Sequence, residues 1–189
     1  MSQKTKLITE GAAMVALATV LSFIRIIKLP WGGSVTLFSM LPIIIFSIKN
    51  GVKNGLIVSF IFSLIQLTQS IMDGLLGWGL TPAALVACVV IDYILAFSVL
   101  GFAGIFRDNG IKGWIIGTVL SMVMRLFMHI LSGAVIWKSF GELWMGFSTE
   151  NSLIYSILYN GAYMVPEIVF TTIGAFILLK APQTRKFIF

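Results

Sequence analysis

Arg125, His129, Gly133 and Trp137 recur at intervals of four in the run RLFMHILSGAVIW. On a helix that spacing lines up a guanidinium, the chain's one imidazole, a position without a side chain and an indole along a single face. Two other polar residues stand in apolar surroundings, Asp92 in CVVIDYILAF and Asn160 in YSILYNG. Together they offer charge pairing, ring stacking and hydrogen bonding, which is binding chemistry. A carboxylate suits a cation or a hydrogen-bond donor, and aromatic faces attract organic cations. The ligand class that fits is a small, flat molecule that is positively charged or carries an amine. Asp92 and His129 also form a formal acid and base pair, but no nucleophile or metal-ligating set accompanies them, so an intramembrane enzyme is disfavoured. With one histidine and one cysteine, Cys88, neither a thiolate metal cluster nor a disulfide framework is available, and no cofactor is called for.

The elements that hold these residues are membrane helices. Of 189 residues, 58% are hydrophobic and 11% charged, with a mean hydropathy of +1.01. Soluble domains carry roughly 25% charged residues. The apolar residues fall in blocks of about 17 to 25, the length that crosses a hydrocarbon core of roughly 30 Å as helix. The fold class read from this pattern is an all-α membrane protein, a bundle of six transmembrane helices forming a single domain over residues 1–189. Helices are expected near 7–27, 34–48, 52–72, 80–105, 112–137 and 152–179, the second one short. The separators KLPWGG, KNGVKNG, GLLGWGLTP, RDNGIKG and KSFGELWMGFSTEN carry Gly, Pro, Asn or charge, as turns do. The first apolar run resembles a signal peptide but continues without a small-residue cleavage site, and is read as a retained span.

Basic residues flanking spans are retained in the cytoplasm. Lys4, Lys6, Lys49, Lys53, Arg107, Lys112, Lys180, Arg185 and Lys186 fall on one side, against Arg25, Lys28 and Lys138 on the other. Both termini are therefore expected inside. The net charge of +6 reflects this asymmetry and the anionic inner leaflet, and gives no support for nucleic-acid binding.

Charged groups within a span are costly and normally face a bundle interior or a wet cavity. At a rise of about 1.5 Å per residue, Asp92 lies roughly 15 Å below the outer end of its helix and His129 roughly 12 Å below its own. Asn160 comes to a similar depth, so three helices present Asp, His and Asn in one layer reachable from outside. Gly133 then leaves a slot between imidazole and indole for a flat ring, or else serves as a small-residue helix contact. Several other residues have two readings. His129 is a ligand group or a structural hydrogen-bonding residue, and Asp92 and Arg125 face a ligand or pair with each other. Trp31, Trp78, Trp137 and Trp144, with Tyr155 and Tyr159, belong to a site or to an interfacial aromatic belt. Glu167, after Pro166, is deeper and is assigned a structural role with nothing placed beside it.

LITEGAAMVALA, IDYILAFSVLGFAGIFR, RLFMHILSGAVIW and YSILYNG, in that order, resemble the thiamin-specific substrate-binding subunit, or S-component, of energy-coupling factor (ECF) vitamin transporters. The most specific part is His129, Gly133 and Trp137 at spacings of four, followed by Tyr155 and Asn160. The resemblance implies a six-helix bundle in a bacterial cell membrane with a vitamin pocket open outward. It implies that Trp137 and His129 flank the aromatic rings, that Asp92 faces the ligand, and that Tyr93, Tyr155 and Asn160 hydrogen-bond it. Arg125 matches a basic position and Trp31 an aromatic residue on the first loop. Two positions depart from the pattern, Asp92 being one methylene shorter than the Glu of some members and Arg125 standing for Lys, which differs in hydrogen-bond geometry. In the first span, Ala12 and Ala16 match the small-xxx-small face on which a transmembrane coupling subunit docks, since small residues let another helix approach closely. The chain has no GxxxxGK[ST] sequence, so ATP hydrolysis falls to partners, two ATPase subunits in such a family. Thiamin is the expected substrate, with another vitamin or a thiamin precursor as the alternative. A solitary proton-coupled transporter is a further reading, weakened by the absence of a visible inverted repeat.

Overall fold

The structure, a computed structural model, describes residues 2–29, 32–144 and 146–188. Helix α1 spans Gln3–Phe23, capped by Ser2, whose hydroxyl accepts from the Thr5 amide at 3.1 Å. It ends four residues before the expected limit. Arg25–Lys28 form strand β1, paired antiparallel with Ser34–Thr36, strand β2, in the register Arg25 with Thr36 and Lys28 with Ser34. Residues read as the end of one helix and the start of the next are thus a hairpin. The β-branched pair Ile26 and Ile27 favours extended backbone, and the Pro-containing, glycine-rich link cannot continue a helix.

Helix α2, Leu41–Asn50, carries Pro42 in its first turn, where the missing N–H costs nothing. At ten residues it spans about 15 Å, half a bilayer core. Every residue from Leu41 to Ile48 is buried, and all but Ser47 are apolar, the pattern of a helix surrounded by others. Helix α3, Val52–Met72, is long enough to cross the membrane.

The next rod is not uniform. Thr81 caps α4, Pro82–Cys88; the backbone then widens to a π-helix over Val89–Leu95, returns to α over Ala96–Ser98 (α5), and tightens to a 3-10 helix over Val99–Asn109. Non-helical angles at Phe106 and a positive φ of 62° at Gly110 break the rod. Helix α6, Gly110–Ser132, folds back along it, pinned by Trp114 Nε1 donating to the Arg107 carbonyl at 2.7 Å. A π turn over Gly133–Trp137 extends α6, with the Lys138 amide donating to the Gly133 carbonyl at 2.9 Å. A second hairpin follows, β3 Gly141–Trp144 with β4 Phe147–Thr149. Helix α7, Ser152–Lys180, is capped by Asn151 and contains Pro166; the short α8, Pro182–Ile188, follows it.

The chain is mostly helical, as expected, and the structure adds two short hairpins that the helix pattern did not show. The polarity is that of a membrane protein. Val86, Phe127 and Ile177 are 65%, 59% and 61% exposed on the outside, whereas Arg125, His129, Asn160 and Glu167 are buried. Among the described residues, four helical stretches have the length and composition to cross a bilayer: Gln3–Phe23, Val52–Met72, the broken Pro82–Trp137 and Ser152–Lys180.

Candidate functional site

The two π-helical stretches face each other, and they are where the chemistry gathers. π-turns recur at functional positions because the widened backbone re-aims a side chain. Asp92 sits in the first. Its carboxylate lies 3.0 Å from His129 Nδ1, accepts from the Ser132 hydroxyl, and accepts from Trp137 Nε1 at 3.2 Å. Cys88 Sγ is 3.4 Å away. One rod therefore directs an imidazole, a hydroxyl and an indole N–H at a single carboxylate on the other. The Asp92–Arg125 pairing is corrected here, since the partner of Asp92 is His129. Arg125 instead lies with its guanidinium 4.3 Å from the centre of the Phe97 ring and Nη1 3.6 Å from Met40 Sδ.

Asp92, Tyr93, Arg125, His129, Gly133, Trp137, Tyr155 and Asn160 all line one cavity of about 290 Å³, near the lower end of the ~300–1,000 Å³ typical of small-molecule sites. The expected residues thus share a wall, although their local roles differ from the simplest reading. The Asn160 amide is spent inside the protein. Its Nδ2 donates to the His129 and Ser156 carbonyls at 3.2 and 2.9 Å, and its Oδ1 accepts from Tyr163 at 2.9 Å. The Tyr93 hydroxyl is bonded to Ser70 of α3. Trp31 lies outside the described residues, but its neighbours Gly32 and Gly33 line the cavity.

Gly133 earns its place by packing. A Cβ there would collide with Ser156 Oγ and come within 3.2 Å of Asn160 Nδ2 on α7, so the bare backbone is what lets α6 and α7 touch. Gly133→Ala is expected to lower stability by about 1–3 kcal/mol, the usual cost of overpacking. Thermal unfolding in detergent measures it, and Ser156→Gly in the same chain should return part of the loss. An unchanged midpoint for the single variant would instead favour the open slot.

Several contributors carry no strong sequence signal. Phe97 and Tyr163 flank the imidazole edge-on at 6.4 and 6.0 Å, and Trp78 packs against Trp137 at 5.8 Å. The β1–β2 link seats against α7, for a Cβ on Gly33 would lie 2.8 Å from the Tyr163 ring. Asp73, at the end of α3, holds β1 through Arg25 at 2.5 Å and Lys28 at 3.4 Å. Glu167 does have company: its carboxylate accepts from the Thr36 amide and hydroxyl, each at 2.7 Å, and so ties β2 to α7. Ala12 and Ala16 are exposed on α1 and do not line the cavity; each follows a buried residue, Gly11 or Val15, and so lies about 100° round the helix from it.

A multi-pass membrane helix bundle that encloses a carboxylate, an imidazole and a set of aromatics beside the β1–β2 hairpin defines a membrane-embedded small-molecule binding protein. Residues 8–187 match the thiamine transporter protein family (Thia_YuaJ), and the chain belongs to that family. It is 31% identical to the thiamine transporter ThiT of Bacillus subtilis (strain 168), the alignment covering 98% of each chain. It is also similar to the solved structure of ThiT from Listeria monocytogenes, with a TM-score of 0.73 and 25% identity over 97% of this chain and 98% of that one. It is a bacterial membrane protein that crosses the bilayer several times.

Proposed function

We propose that this chain is the substrate-capture subunit of an ECF-type importer, taking thiamin from the outer face and delivering it inward when joined to a coupling membrane subunit and two ATPase subunits. Residues 1–189 act as one domain of six crossings with both termini cytoplasmic, α2 supplying a half-length crossing. Its role is binding and delivery, without a catalytic step of its own.

The observation that carries this reading is the convergence on Asp92. A carboxylate held by His129, Ser132 and Trp137 inside an aromatic-lined cavity meets the requirements of a thiazolium cation, which is flat, positively charged and polarisable. Tyr155, Trp137 and Trp78 supply faces for its rings, and Arg125, Tyr93 and Asn160 shape the wall around them. Family membership points to the same ligand. The β1–β2 hairpin closes over the cavity, since Arg25 and Lys28 bind Asp73 while Gly33 rests on Tyr163. No phosphate-binding loop occurs in the sequence, so energy comes from partners.

Isothermal titration of the purified protein tests the ligand. Saturable thiamin binding is expected, with no competition from riboflavin. Tight riboflavin binding in its place, without a thiamin signal, would remove the assignment.

A further inference from the structure

The β1–β2 hairpin is part of the cavity wall: Gly32, Gly33, Ser34, Thr36 and, just beyond it, Met40 line the site. Two carboxylates hold it in place. Asp73 binds Arg25 and Lys28 of β1, and its side chain is 27% exposed, so water and salt weaken that grip. Glu167 holds the other strand and is fully buried. The Thr36 amide and hydroxyl each donate to it at 2.7 Å. The amide of the next residue, Leu37, turns the other way, to the Ile24 carbonyl at 3.0 Å. The Thr36 N–H is therefore an outer-edge donor with no strand to receive it, and Glu167 takes the place of that strand.

The chain after Thr36 needs such a hold. Phe38 has a φ of 57°, a left-handed conformation that a bulky side chain rarely adopts and that persists only where its surroundings impose it. Its amide folds back to the Thr36 carbonyl at 3.0 Å, and its carbonyl accepts from the Leu41 amide at 3.1 Å. Its ring lies against Gly174, where a Cβ would come within 3.0 Å of it. Gly174 stands two turns beyond Glu167 on the same face of α7, so one helix supports both Thr36 and Phe38. A second string of contacts leads inward. Since Thr36 gives its proton to Glu167, the Ser39 hydroxyl, 2.6 Å away, donates to Thr36, and the Sδ of neighbouring Met40 is 3.6 Å from Arg125 Nη1. Glu167 itself is not among the residues lining the cavity. It holds, at one remove, residues that are.

Resting on the function proposed above, we infer that Glu167 is a positioning residue for ligand capture: its buried carboxylate fixes Thr36, and with it the hairpin wall and the strained turn at Phe38, in the geometry that binds. Affinity thus depends on a side chain outside the cavity. A protein whose binding-competent form is populated only part of the time binds more weakly by that fraction. Loosening the Glu167 anchor acts in this way, by letting the hairpin wall leave its place.

The test compares wild type, Glu167→Gln and Glu167→Ala by isothermal titration with thiamin and by backbone hydrogen exchange of the same detergent-solubilised proteins. Glu167→Ala should weaken thiamin roughly tenfold or more, since two charge-assisted hydrogen bonds are lost. Glu167→Gln keeps an acceptor of the same shape and should lose less. Without ligand, amides 34–38 should exchange faster in both variants while those of α3 and α6 keep their wild-type rates, and thiamin should restore the protection of 34–38. A carboxylate that only stabilised the fold would raise exchange throughout the bundle. Thr36→Val, which removes the hydroxyl alone, should cost less affinity in the Glu167→Gln background than in the wild type, because the two side chains share one contact. Should Glu167→Ala fail to fold, the Gln variant and this double-mutant cycle decide the matter. Affinity unchanged in both Glu167 variants, exchange that rises uniformly, or strictly additive losses overturns the inference and leaves the functional reading standing. A wild type that does not bind thiamin removes the functional reading, and this inference with it.

Discussion

Asp92→Ala should weaken thiamin binding by about two to three orders of magnitude. Truncating one partner of a buried, hydrogen-bonded charge pair costs about 2–5 kcal/mol, and each 1.4 kcal/mol is roughly tenfold in affinity. Asp92 is the carboxylate on which His129, Ser132 and Trp137 converge. Removing it deletes the negative charge opposite the ligand's cation and also frees the three groups whose positions it sets. Asp92→Asn keeps the shape and one acceptor but not the charge, so it should fall between the two. Isothermal titration with all three proteins reads the series. If Asp92→Ala binds thiamin within threefold of wild type, the anchor has been put on the wrong residue.

Ala12→Trp and Ala16→Trp should each reduce thiamin uptake by cells to background while leaving thiamin affinity of the purified protein unchanged. Both alanines are exposed on α1, and that helix turns Gly11, Val15, Ala18 and Ser22 inward. Helix α1 is held within its first half by Glu10, whose Oε1 is 2.9 Å from Lys49 Nζ of α2. The outward stripe therefore has a set direction and little bulk, the surface on which another helix packs closely. An indole there projects away from the cavity and fills the space a coupling helix needs. Uptake assays in cells together with co-purification of the coupling subunit read the effect. Normal uptake, or lost thiamin binding with uptake falling in step, would count against docking through this face.

Much of the site was legible because helical periodicity is local. Arg125, His129, Gly133 and Trp137 line one cavity wall because residues four apart on a helix share a face whatever surrounds them. The depth argument also reaches real contacts, since Asp92 touches His129 and the Asn160 amide reaches the His129 carbonyl. Partner choice was not legible. Whether Asp92 pairs with Arg125 or His129 depends on which helix faces which and how each is rotated. The π turns at Val89–Leu95 and Gly133–Trp137 set that rotation, and residue spacing carries no mark of them. The stripe that α3 turns to the cavity was open to the same periodic reasoning, because Gln66, Gln69, Ser70 and Asp73 stand at helical offsets in QLTQSIMD.

From the sequence by itself came the membrane setting, the positions of the long helices and the polar residues that point inward. Each of these rests on short-range quantities: hydropathy over a span, the 3.6-residue period, and the cost of a charge in lipid. Tertiary structure alone decided that residues 25–28 and 34–36 form a hairpin, that Glu167 holds Thr36 from across the chain, and that Gly133 is bare to admit Ser156. The reason is physical. A backbone segment at membrane depth or at its edge takes whatever form satisfies its hydrogen bonds; here β1 and β2 satisfy each other, and Glu167, 131 positions away, satisfies the Thr36 amide.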